Sequence, residues 1–549
     1  MLLLFLSKTK LTMKYLGSLL LIVFLVSCQK KQKVDTIVIN ANVYTVNDNF
    51  DKVESFAIKD GKFVDVGNSL DIQNTFEADT IIDAQGQTII PGLIDAHCHF
   101  YGLGLDQKSV NLVGTKNFDE VVQRIIDFQN ENNLKYIKGF GWDQNDWEEK
   151  EFPNNKLLNA LFPDTPISLS RIDGHAVLCN QAALDLGSVT TESKIEGGEV
   201  VVKNGELTGI LVDNAENLVM NFWPKISRDD TVEALLTAQK ICTDLGLTTV
   251  DDAGLNREAI EIIDSLQQTG DLKIRVYAMV SASKGNLDYY LNKGIIKTDR
   301  LNVRSFKFYA DGALGSRGAL LKKPYSDSPN TFGLPVTSLE DLESNAKRIA
   351  SSEYQMNTHA IGDSANHIVL QTYKKVLQGK PDRRWRIEHA QVVSPEDFQY
   401  FDDIIPSVQP THATSDMYWA EDRIGPERIK GAYAFKDLLE VNGTVALGTD
   451  FPVEHVSPFY TFYAAVARKD LEGYPDLGYQ IENALTREEA LKGMTIWAAY
   501  SNFEEYEKGS IEAGKFADFI ILNEDIMEAK EVDLPYIEVI NTFINGEVQ

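Results

Sequence analysis

Both ends of the chain carry short segments in which apolar and polar residues alternate, the period typical of half-buried β-strands. Near the front this pattern runs through TIVINANVYTVN, ESFAIKDGKFVDVGN and DTIIDAQGQTII, and Asp60-Gly61 in the second segment is a hairpin signal. At the other end it returns in GKFADFIILNED and IEVINTFINGEVQ. Because neither end is long enough to form a stable sheet domain alone, we predict that residues 34–90 and 510–549 together form one composite β-sandwich.

Between these ends, apolar strand-like runs alternate with stretches whose apolar residues recur at helical spacing, such as TVEALLTAQKICTDLG and SANHIVLQTYKKVLQ. The eight strand candidates are TIIPGLIDAH, GLTTVDDAG, LKIRVYAMV, NVRSFKFYADG, YQMNTHAIGD, RWRIEHAQ, DIIPSVQPTHA and GTVALGTDFPV. Eight β–α alternations favour an α/β fold with a (β/α)₈ TIM-like barrel over an open sheet, and we place the barrel at residues 91–509. The interval between the first two strands is too long for one connection, so we expect a long insertion at about residues 100–245.

The first 28 residues have the pattern of an export signal. The run LGSLLLIVFLV (16–26) is apolar but shorter than the roughly 18 residues that a membrane anchor requires. The segment LVSC, which ends at Cys28, resembles the lipobox of bacterial lipoproteins, and Gln29 favours sorting to the outer membrane. An ordinary cleaved signal with an incidental cysteine is the alternative. We expect a signal peptide at residues 1–28 and an exported lipoprotein that faces the periplasm or the cell exterior, with a lipid at Cys28 as its only membrane attachment.

Charge and cysteine content narrow the classes of function. Lys plus Arg total 53 against 81 Asp plus Glu, a formal net charge of −28, and such an acidic chain is repelled by phosphate backbones. Nucleic-acid binding is therefore set aside. Four cysteines in 549 residues are too few for a disulfide scaffold. The sequence leaves the oligomeric state open, and a homo-oligomer is compatible with it.

The carboxyl ends of the predicted barrel strands, where such barrels carry their active sites, concentrate chemically active residues. Four of the eight histidines in the chain lie there, with one lysine and one aspartate. These candidates are His97, His99, Lys307, His359, His389 and Asp450. A random distribution of these residues along the chain would seldom place them all at strand ends. We therefore predict a metal centre at the mouth of the barrel.

His97 and His99 alternate along the first strand, so both imidazoles point to the same face and provide half of a Zn²⁺-type site. Lys307 is costly to bury in its charged form. It either reacts with CO₂ to give a carbamate that bridges two cations, or forms an ion pair with a carboxylate such as Asp311. Asp450 could ligate the metal and accept a proton from its water, and the alternative is an N-cap of the following helix.

Several segments carry the pattern of a known family. They are PGLIDAHCH, GFGWDQNDW, LSRIDGHAV, FYADGALGSR, THAIGDSA, RIEHAQ and GTDFPVE. With the His-x-His, Lys, His, His and Asp set on strands one, four, five, six and eight, they resemble the amidohydrolase superfamily. Within it they resemble the YtcJ-like branch (amidohydrolase family 3), which includes N-substituted formamide deformylases. The resemblance covers about residues 34–549.

This resemblance implies a β-sandwich joined to a barrel and one or two divalent metal ions, with Zn²⁺ as the first candidate. The protein ligands that it implies are His97, His99, His359, His389 and Asp450. If Lys307 is carbamylated it would bridge two ions, whereas some branches hold one. The implied reaction is hydrolysis of a non-peptide C–N bond in an amide, N-acyl or formamide-like small molecule. Metal-activated hydroxide would attack the carbonyl carbon, with Asp450 as general base and acid.

Five further residues are candidates for substrate binding, and three of them have a structural alternative. They are Trp142, Asp143, His175, Arg317 and His412. Trp142 could instead pack inside the insertion, His175 could stabilise a loop, and Arg317 could form a surface salt bridge rather than meet an anionic substrate group. His412 follows the seventh strand, but no spacing argument makes it a ligand.

Two other readings of the function remain open at this point. In the first, the protein is an enzyme with the same metal site that cleaves a different bond, either by deaminating a ring or by hydrolysing an ester or lactone. The other is a solute-binding lipoprotein that has lost catalysis. Metal content separates the binder from the enzyme, and release of ammonia separates a deaminase from other hydrolases. The sequence names neither the substrate nor the metal.

Overall fold

The computed structural model describes residues 31–549. The predicted export signal and its lipobox cysteine, Cys28, lie outside the described residues. Over residues 31–549, every helix is too short or too polar to cross a membrane.

The strands of the described chain fall into four sheets. In chain order they are β1 (Gln32–Ile39), β2 (Asn42–Tyr44), β3 (Lys52–Val53), β4 (Ser55–Lys59), β5 (Lys62–Gly67), β6 (Phe76–Asp83), β7 (Thr88–Pro91), β8 (Leu93–Cys98), β9 (Val110–Asn111), β10 (Ile137–Trp142), β11 (Ile167–Arg171), β12 (Ala176–Cys179), β13 (Gly198–Lys203), β14 (Glu206–Asp213), β15 (Leu247–Leu255), β16 (Arg275–Ser281), β17 (Ile296–Lys297), β18 (Leu301–Tyr309), β19 (Gln355–Ala360), β20 (Arg386–His389), β21 (Ile405–Val408), β22 (Ala446–Leu447), β23 (Phe519–Leu522), β24 (Val539–Ile544) and β25 (Glu547–Val548).

The α-helices lie between and around these strands. In chain order they are α1 (Ser69–Thr75), α2 (Phe100–Asp106), α3 (Phe118–Asn132), α4 (Lys156–Leu161), α5 (Gln181–Leu186), α6 (Asn217–Met220), α7 (Arg228–Asp244), α8 (Arg257–Thr269), α9 (Lys284–Lys293), α10 (Leu339–Ala350), α11 (Asp363–Leu377), α12 (Pro410–Asp416), α13 (Ala420–Arg428), α14 (Phe435–Asn442), α15 (Pro458–Ala467), α16 (Arg487–Gly493) and α17 (Ile496–Ser501). Single 3₁₀ turns are Gln144–Asp146, Asn214–Glu216, Phe398–Asp402, Ile429–Gly431, Ile481–Asn483 and Glu531–Tyr536.

Local sequence accounts for the start of several barrel helices. Helices α7, α8 and α10 begin after Ser227, Asn256 and Ser338, and each of these side chains accepts a hydrogen bond from the backbone N–H of the third helical residue. Such caps satisfy N–H groups that the first turn of a helix leaves unpaired. The helices then pack their apolar faces on the strands.

Eight strands form the central barrel in chain order. They are β8, β15, β16, β18, β19, β20, β21 and β22, and each overlaps one of the eight predicted segments. Beyond the short β22, the barrel closes on β8, where the N–H of Asp450 donates to His97 O (2.8 Å) and the N–H of His99 donates to Phe451 O (2.8 Å). The predicted TIM-like barrel with an additional sheet domain is confirmed.

The two chain ends meet in a pair of sheets beside the barrel. One sheet has the order β5-β4-β1-β6, and the other, β25-β24-β23-β7-β2-β3, joins strands from both ends of the chain. Aromatic rings fill the space between the sheets, with Phe56 and Phe63 at 5.1 Å and Phe56 and Phe519 at 5.0 Å between ring centroids. A buried ion pair links this unit to the barrel, since Arg275 of β16 donates to Asp518 through Nε at 2.6 Å.

The segment between β8 and β15 builds a further sheet, with the order β13-β14-β12-β11-β10-β9. It has an apolar core of its own that includes Ile125, Trp142, Ile167 and Leu169. Residues of this sheet and of the turns beside it, such as Phe140, Arg171 and His175, line the space at the carboxyl ends of the barrel strands. The insertion therefore forms one wall of the space above the barrel.

Candidate metal centre and active-site cavity

A cavity of about 730 Å³ lies at the carboxyl ends of the barrel strands, where a barrel enzyme carries its active site. Its barrel-side lining includes His99, Lys307, Tyr309, His359, His389, His412 and Asp450. Its lining from the insertion includes Phe140, Asp143, Asp146, Arg171, Ile172, Asp173 and His175. The structure thus brings the strand-end candidates together at one cavity, and His97 lies beneath them with no exposed surface.

His97, His389 and Asp450 form the centre of the site, since they offer ligand atoms that all lie within 4.8 Å of one another. Asp450 Oδ1 is 3.6 Å from His97 Nε2 and 3.2 Å from His99 Nε2. Although it is buried, this carboxylate oxygen accepts no hydrogen bond within the described chain. A buried polar atom without a partner is costly, so this oxygen is poised for a ligand.

Two residues of the site, neither of them glycine, have left-handed backbone conformations that orient their side chains. His389 has φ = +75° and Asp450 has φ = +64°, a region that costs energy for such residues and is found at functional sites. Gly448, two residues before Asp450, packs directly on β8, and a Cβ there would meet the backbone nitrogen of His97 at 2.5 Å. Glycine at this position therefore allows the last strand to approach the first.

Asp450 is held through its second oxygen by His412, for which no spacing argument was available from the sequence. His412 Nε2 is 3.3 Å from Asp450 Oδ2, and its Nδ1 is 3.0 Å from Glu454 Oε1. Burial acts to raise the pKa of Asp450, but the neighbouring His412, His97 and His99 outweigh it and hold that pKa well below its usual range. The alternative role as a helix N-cap is excluded, because the next helix, α15, begins after Ser457.

Lys307 is buried beside His97, with its Nζ 3.0 Å from His97 Nε2. Burial lowers the pKa of Lys307 to about 8, since the Glu388 and Asp450 carboxylates offset the loss of hydration only in part. The alternative ion pair with Asp311 is absent. The Asp311 carboxylate instead accepts backbone N–H groups of Ile361 at 3.0 Å and of Gly362 at 2.8 Å.

His359 and His389 lie side by side, with ring centroids 4.5 Å apart. The Nδ1 of His389 pairs with Gln409 Oε1 at 2.8 Å, which leaves Nε2 for another partner. Burial lowers the pKa of both imidazoles well below the usual histidine value, and it lowers the pKa of His97 to about 4. All three rings are therefore neutral near pH 7 and offer lone pairs, the form that binds metal ions.

From the insertion, His175 reaches the cavity above His359, at 4.9 Å between ring centroids. Its Nδ1 pairs with Asp213 Oδ1 at 2.6 Å. Burial disfavours the charged imidazole, but this carboxylate outweighs burial and raises the pKa of His175 to about 9. Asp213, which sequence reasoning missed, rests on Gly312, where an added Cβ would lie 2.5 Å from the carboxylate.

Two of the five residues expected to bind substrate lie away from the cavity. Trp142 is 1% exposed and donates its indole N–H to Leu169 O at 2.8 Å inside the core of the insertion, because β10 turns this side chain inward. Arg317 pairs with Asp327, with 2.9 Å between Nη2 and Oδ2, outside the lining. Both expectations are corrected. Asp143, His175 and His412 do line the cavity.

The donor set fits a divalent metal ion. Neutral imidazoles and a carboxylate with a free oxygen are the ligand types that Zn²⁺ and related ions take. The sequence profile of the amidohydrolase family matches residues 80–549. The chain belongs to the amidohydrolase family. By family it is a metal-dependent hydrolase, and the motif-based resemblance is confirmed.

Three curated relatives align with this amidohydrolase over more than nine tenths of both chains. LONG AFTER FAR-RED 3 of Arabidopsis thaliana is 32% identical over 93% of this chain and 91% of its own. YtcJ of Bacillus subtilis (strain 168) is 30% identical over 92% of this chain and 97% of its own. The N-substituted formamide deformylase of Arthrobacter pascens is 24% identical over 94% of this chain and 98% of its own.

A solved structure shares the fold of this amidohydrolase. It is an uncharacterised metal-dependent hydrolase from Pyrococcus horikoshii OT3, 31% identical, with a TM-score of 0.75 over 90% of this chain and 99% of that one. The likeness therefore includes the barrel and most of the chain around it.

Proposed function

We propose that this amidohydrolase hydrolyses a non-peptide C–N bond in a small amide, N-acyl or formamide-like compound. The observation that carries the proposal is the convergence of His97, His389 and the unpartnered Oδ1 of Asp450 at the floor of the cavity. Its similarity to the N-substituted formamide deformylase of Arthrobacter pascens supports the choice of bond. The cavity, at about 730 Å³, has the size of a small-molecule site.

The residues that would hold the metal are the four histidines at the strand ends and the last aspartate, namely His97, His99, His359, His389 and Asp450. A bound divalent cation acts as a Lewis acid, which lowers the pKa of water and polarises a carbonyl group.

Asp450 would carry the proton during the reaction. Its Oδ2 is fixed by His412 at 3.3 Å, so its Oδ1 is free to accept a proton from the attacking water and to return it to the departing amine nitrogen. The C–N bond breaks as a C–O bond forms, and the proton that leaves water reaches the amine. Such general acid–base transfer contributes about 10²–10⁴-fold to a rate.

We also propose that Lys307 is carbamylated in the metal-loaded protein and contributes a bridging ligand. The neutral amine adds to CO₂, an N–C bond forms and one proton is released, which leaves a carboxylate in place of a buried cation. Support comes from the position of Lys307, with its Nζ 3.0 Å from His97 Nε2 and its side chain lining the cavity, and from the absence of an ion pair with Asp311. Export and lipid attachment at Cys28 belong to the same proposal and rest on the sequence alone.

The arginine of the cavity lining is already paired with carboxylates, which disfavours anionic substrates. Arg171 is buried, and its guanidinium already pairs with Asp143 and, at 2.6 Å, with Asp173. It is therefore not free for a substrate carboxylate, and Arg317 lies elsewhere. The lining also contains Asp106, Asp146, Asp416 and Glu454. Because burial raises the pKa of Asp106 and of Asp416 to about 7, these two carboxyls carry only part of a negative charge near neutral pH. The expected disadvantage of an anionic substrate therefore rests on the pairing of Arg171, since an anionic group gains no bidentate ion pair from it.

A matched substrate panel tests this function and its charge preference. N-acetyl and N-formyl derivatives of putrescine, butylamine and γ-aminobutyrate give a cationic, a neutral and an anionic member of similar shape. We expect amine release from the first two, with kcat/KM for the anionic member at least about tenfold lower, equivalent to about 1.4 kcal/mol. The product amine is separated from the substrate by chromatography and measured with zinc-loaded protein. Its appearance reports cleavage of the C–N bond, whereas a total-amine assay would also detect the free amine that the putrescine derivatives already carry.

The controls in this panel separate the other reactions. Ammonia release from aminated heterocycles would favour a deaminase, and turnover of matched esters alone would favour an esterase. If the anionic member is the best substrate, the expected charge preference is wrong, but the proposed cleavage of a C–N bond is not contradicted. No amine release from any member would contradict the proposed C–N hydrolysis.

A further inference from the structure

Beneath the cavity, the interior of the barrel holds a buried carboxylate that catalysis does not use. Glu388 lies on β20 and is 0% exposed, and its Oε2 is 2.5 Å from His97 Nδ1. Strand alternation would place Glu388 and His389 on opposite faces. The left-handed conformation of His389, with φ = +75°, turns the chain so that both neighbours reach the same histidine-rich site.

The contacts of His97 define which nitrogen carries its proton. An ionised carboxylate only accepts hydrogen bonds, so the proton lies on Nδ1, between the ring and Glu388. The opposite nitrogen, Nε2, faces Lys307 Nζ at 3.0 Å and Asp450 Oδ1 at 3.6 Å. The lone pair of His97 therefore points toward the predicted metal position.

Glu388 is itself held by a buried guanidinium. Arg386 donates through Nη2 to Glu388 Oε2 at 3.1 Å and to Ser407 Oγ at 2.8 Å, and through Nη1 to Asp251 Oδ2 at 3.0 Å. Asn502, which follows α17, donates to the other oxygen of Asp251 at 2.8 Å. Strands β15, β20 and β21 and the end of α17 thus fix the carboxylate. The buried guanidinium of Arg386 therefore holds the Glu388 carboxylate in place behind His97.

We propose that Glu388 is a positioning residue that sets the metal affinity of the site through His97. It selects the tautomer with a free Nε2, fixes the orientation of the ring and makes Nε2 a stronger electron donor. Partners of this kind change metal affinity by about 10–100-fold when removed. The proposal rests on His97 being a metal ligand, as in the proposed function, but it does not depend on the identity of the substrate.

Zinc affinity of a Glu388→Gln variant tests the proposal. Glutamine has nearly the same shape, but it is neutral and its amide can donate to Nδ1, which favours the wrong tautomer. We expect the zinc Kd, measured by competition with a chromophoric chelator, to rise about 10–100-fold. The matched control is Glu504→Gln, because Glu504 is a buried carboxylate paired with Lys508 at 2.7 Å, away from the cavity lining. Its zinc Kd is expected to equal that of the wild type.

A second measurement keeps the proposal open to refutation if Glu388→Gln does not fold. Nitrogen NMR of histidine-labelled wild-type protein, with the His97 signals assigned from their loss in His97→Asn, reports the tautomer directly. We expect a protonated Nδ1, whereas a proton on Nε2 would overturn the proposal. An unchanged zinc Kd in a folded Glu388→Gln variant would overturn it too. If the wild type binds no zinc, the metal centre itself is wrong, and with it both the proposed function and this inference.

Discussion

An Asp450→Asn variant is expected to lose about 10²–10⁴-fold in kcat for amine release, the usual contribution of a general acid–base group. The amide of asparagine keeps the shape of the side chain, but it cannot accept a proton from water and return it to the amine. The buried site offers no obvious replacement, since His412 is already bonded to Asp450 and Glu454. The measurement is kcat on the best substrate of the panel at saturating zinc, because Asp450 is also a candidate ligand.

The control for this variant is Asp525→Asn, which removes a carboxylate that accepts a hydrogen bond from Asn42 Nδ2 at 2.6 Å in the sheets formed by the chain ends. Its kcat should match that of the wild type. If Asp450→Asn keeps the wild-type kcat with zinc bound, proton transfer belongs to another group and the proposed role of Asp450 is wrong.

A Lys307→Ala variant is expected to hold about one zinc ion per chain or fewer, against about two in the wild type, because a bridging carbamate is what allows two cations to lie close together. Elemental analysis of protein that begins after Cys28, purified without chelator and with bicarbonate present, gives the stoichiometry. Loss of the second ion should be accompanied by loss of activity.

Lys508→Ala is the matched control, since Lys508 is also a buried lysine, paired with Glu504 at 2.7 Å. Its zinc content should be unchanged. One zinc per chain in both the wild type and Lys307→Ala would make Lys307 a structural residue. The carbamate proposal would then be wrong, although a mononuclear site would remain.

The barrel and the strand-end residues could be predicted because both depend on local sequence. Each barrel strand is a short apolar run followed by a helical pattern, and the active site of such a barrel lies where strands end. The strand ends alone predicted six residues. Five of them line one cavity, namely His99, Lys307, His359, His389 and Asp450, and the sixth, His97, lies beneath it.

The rest of the site depends on how segments that are distant in the sequence pack together, and the spacing of residues along the chain does not show this. Glu388 and His389 are neighbours on one strand and yet both reach the same site, and His389 adopts φ = +75°, a conformation that no sequence pattern marks. Trp142 and Arg317 lie outside the lining because β10 faces its own core and Asp327 takes the guanidinium. His412 was predicted as a site residue from its place after the seventh strand, but its contact with Asp450 depends on packing that spacing does not show.

The central claim is that a divalent metal ion sits between His97, His389 and Asp450, and anomalous diffraction from zinc-loaded crystals tests it most directly. Data collected on both sides of the zinc absorption edge locate the ion without assumptions about the chemistry. We expect an anomalous peak within bonding distance, about 2.0–2.2 Å, of His97 Nε2 and of an Asp450 oxygen. A fully zinc-loaded crystal with no peak there, or with its only peak elsewhere, would contradict the claim.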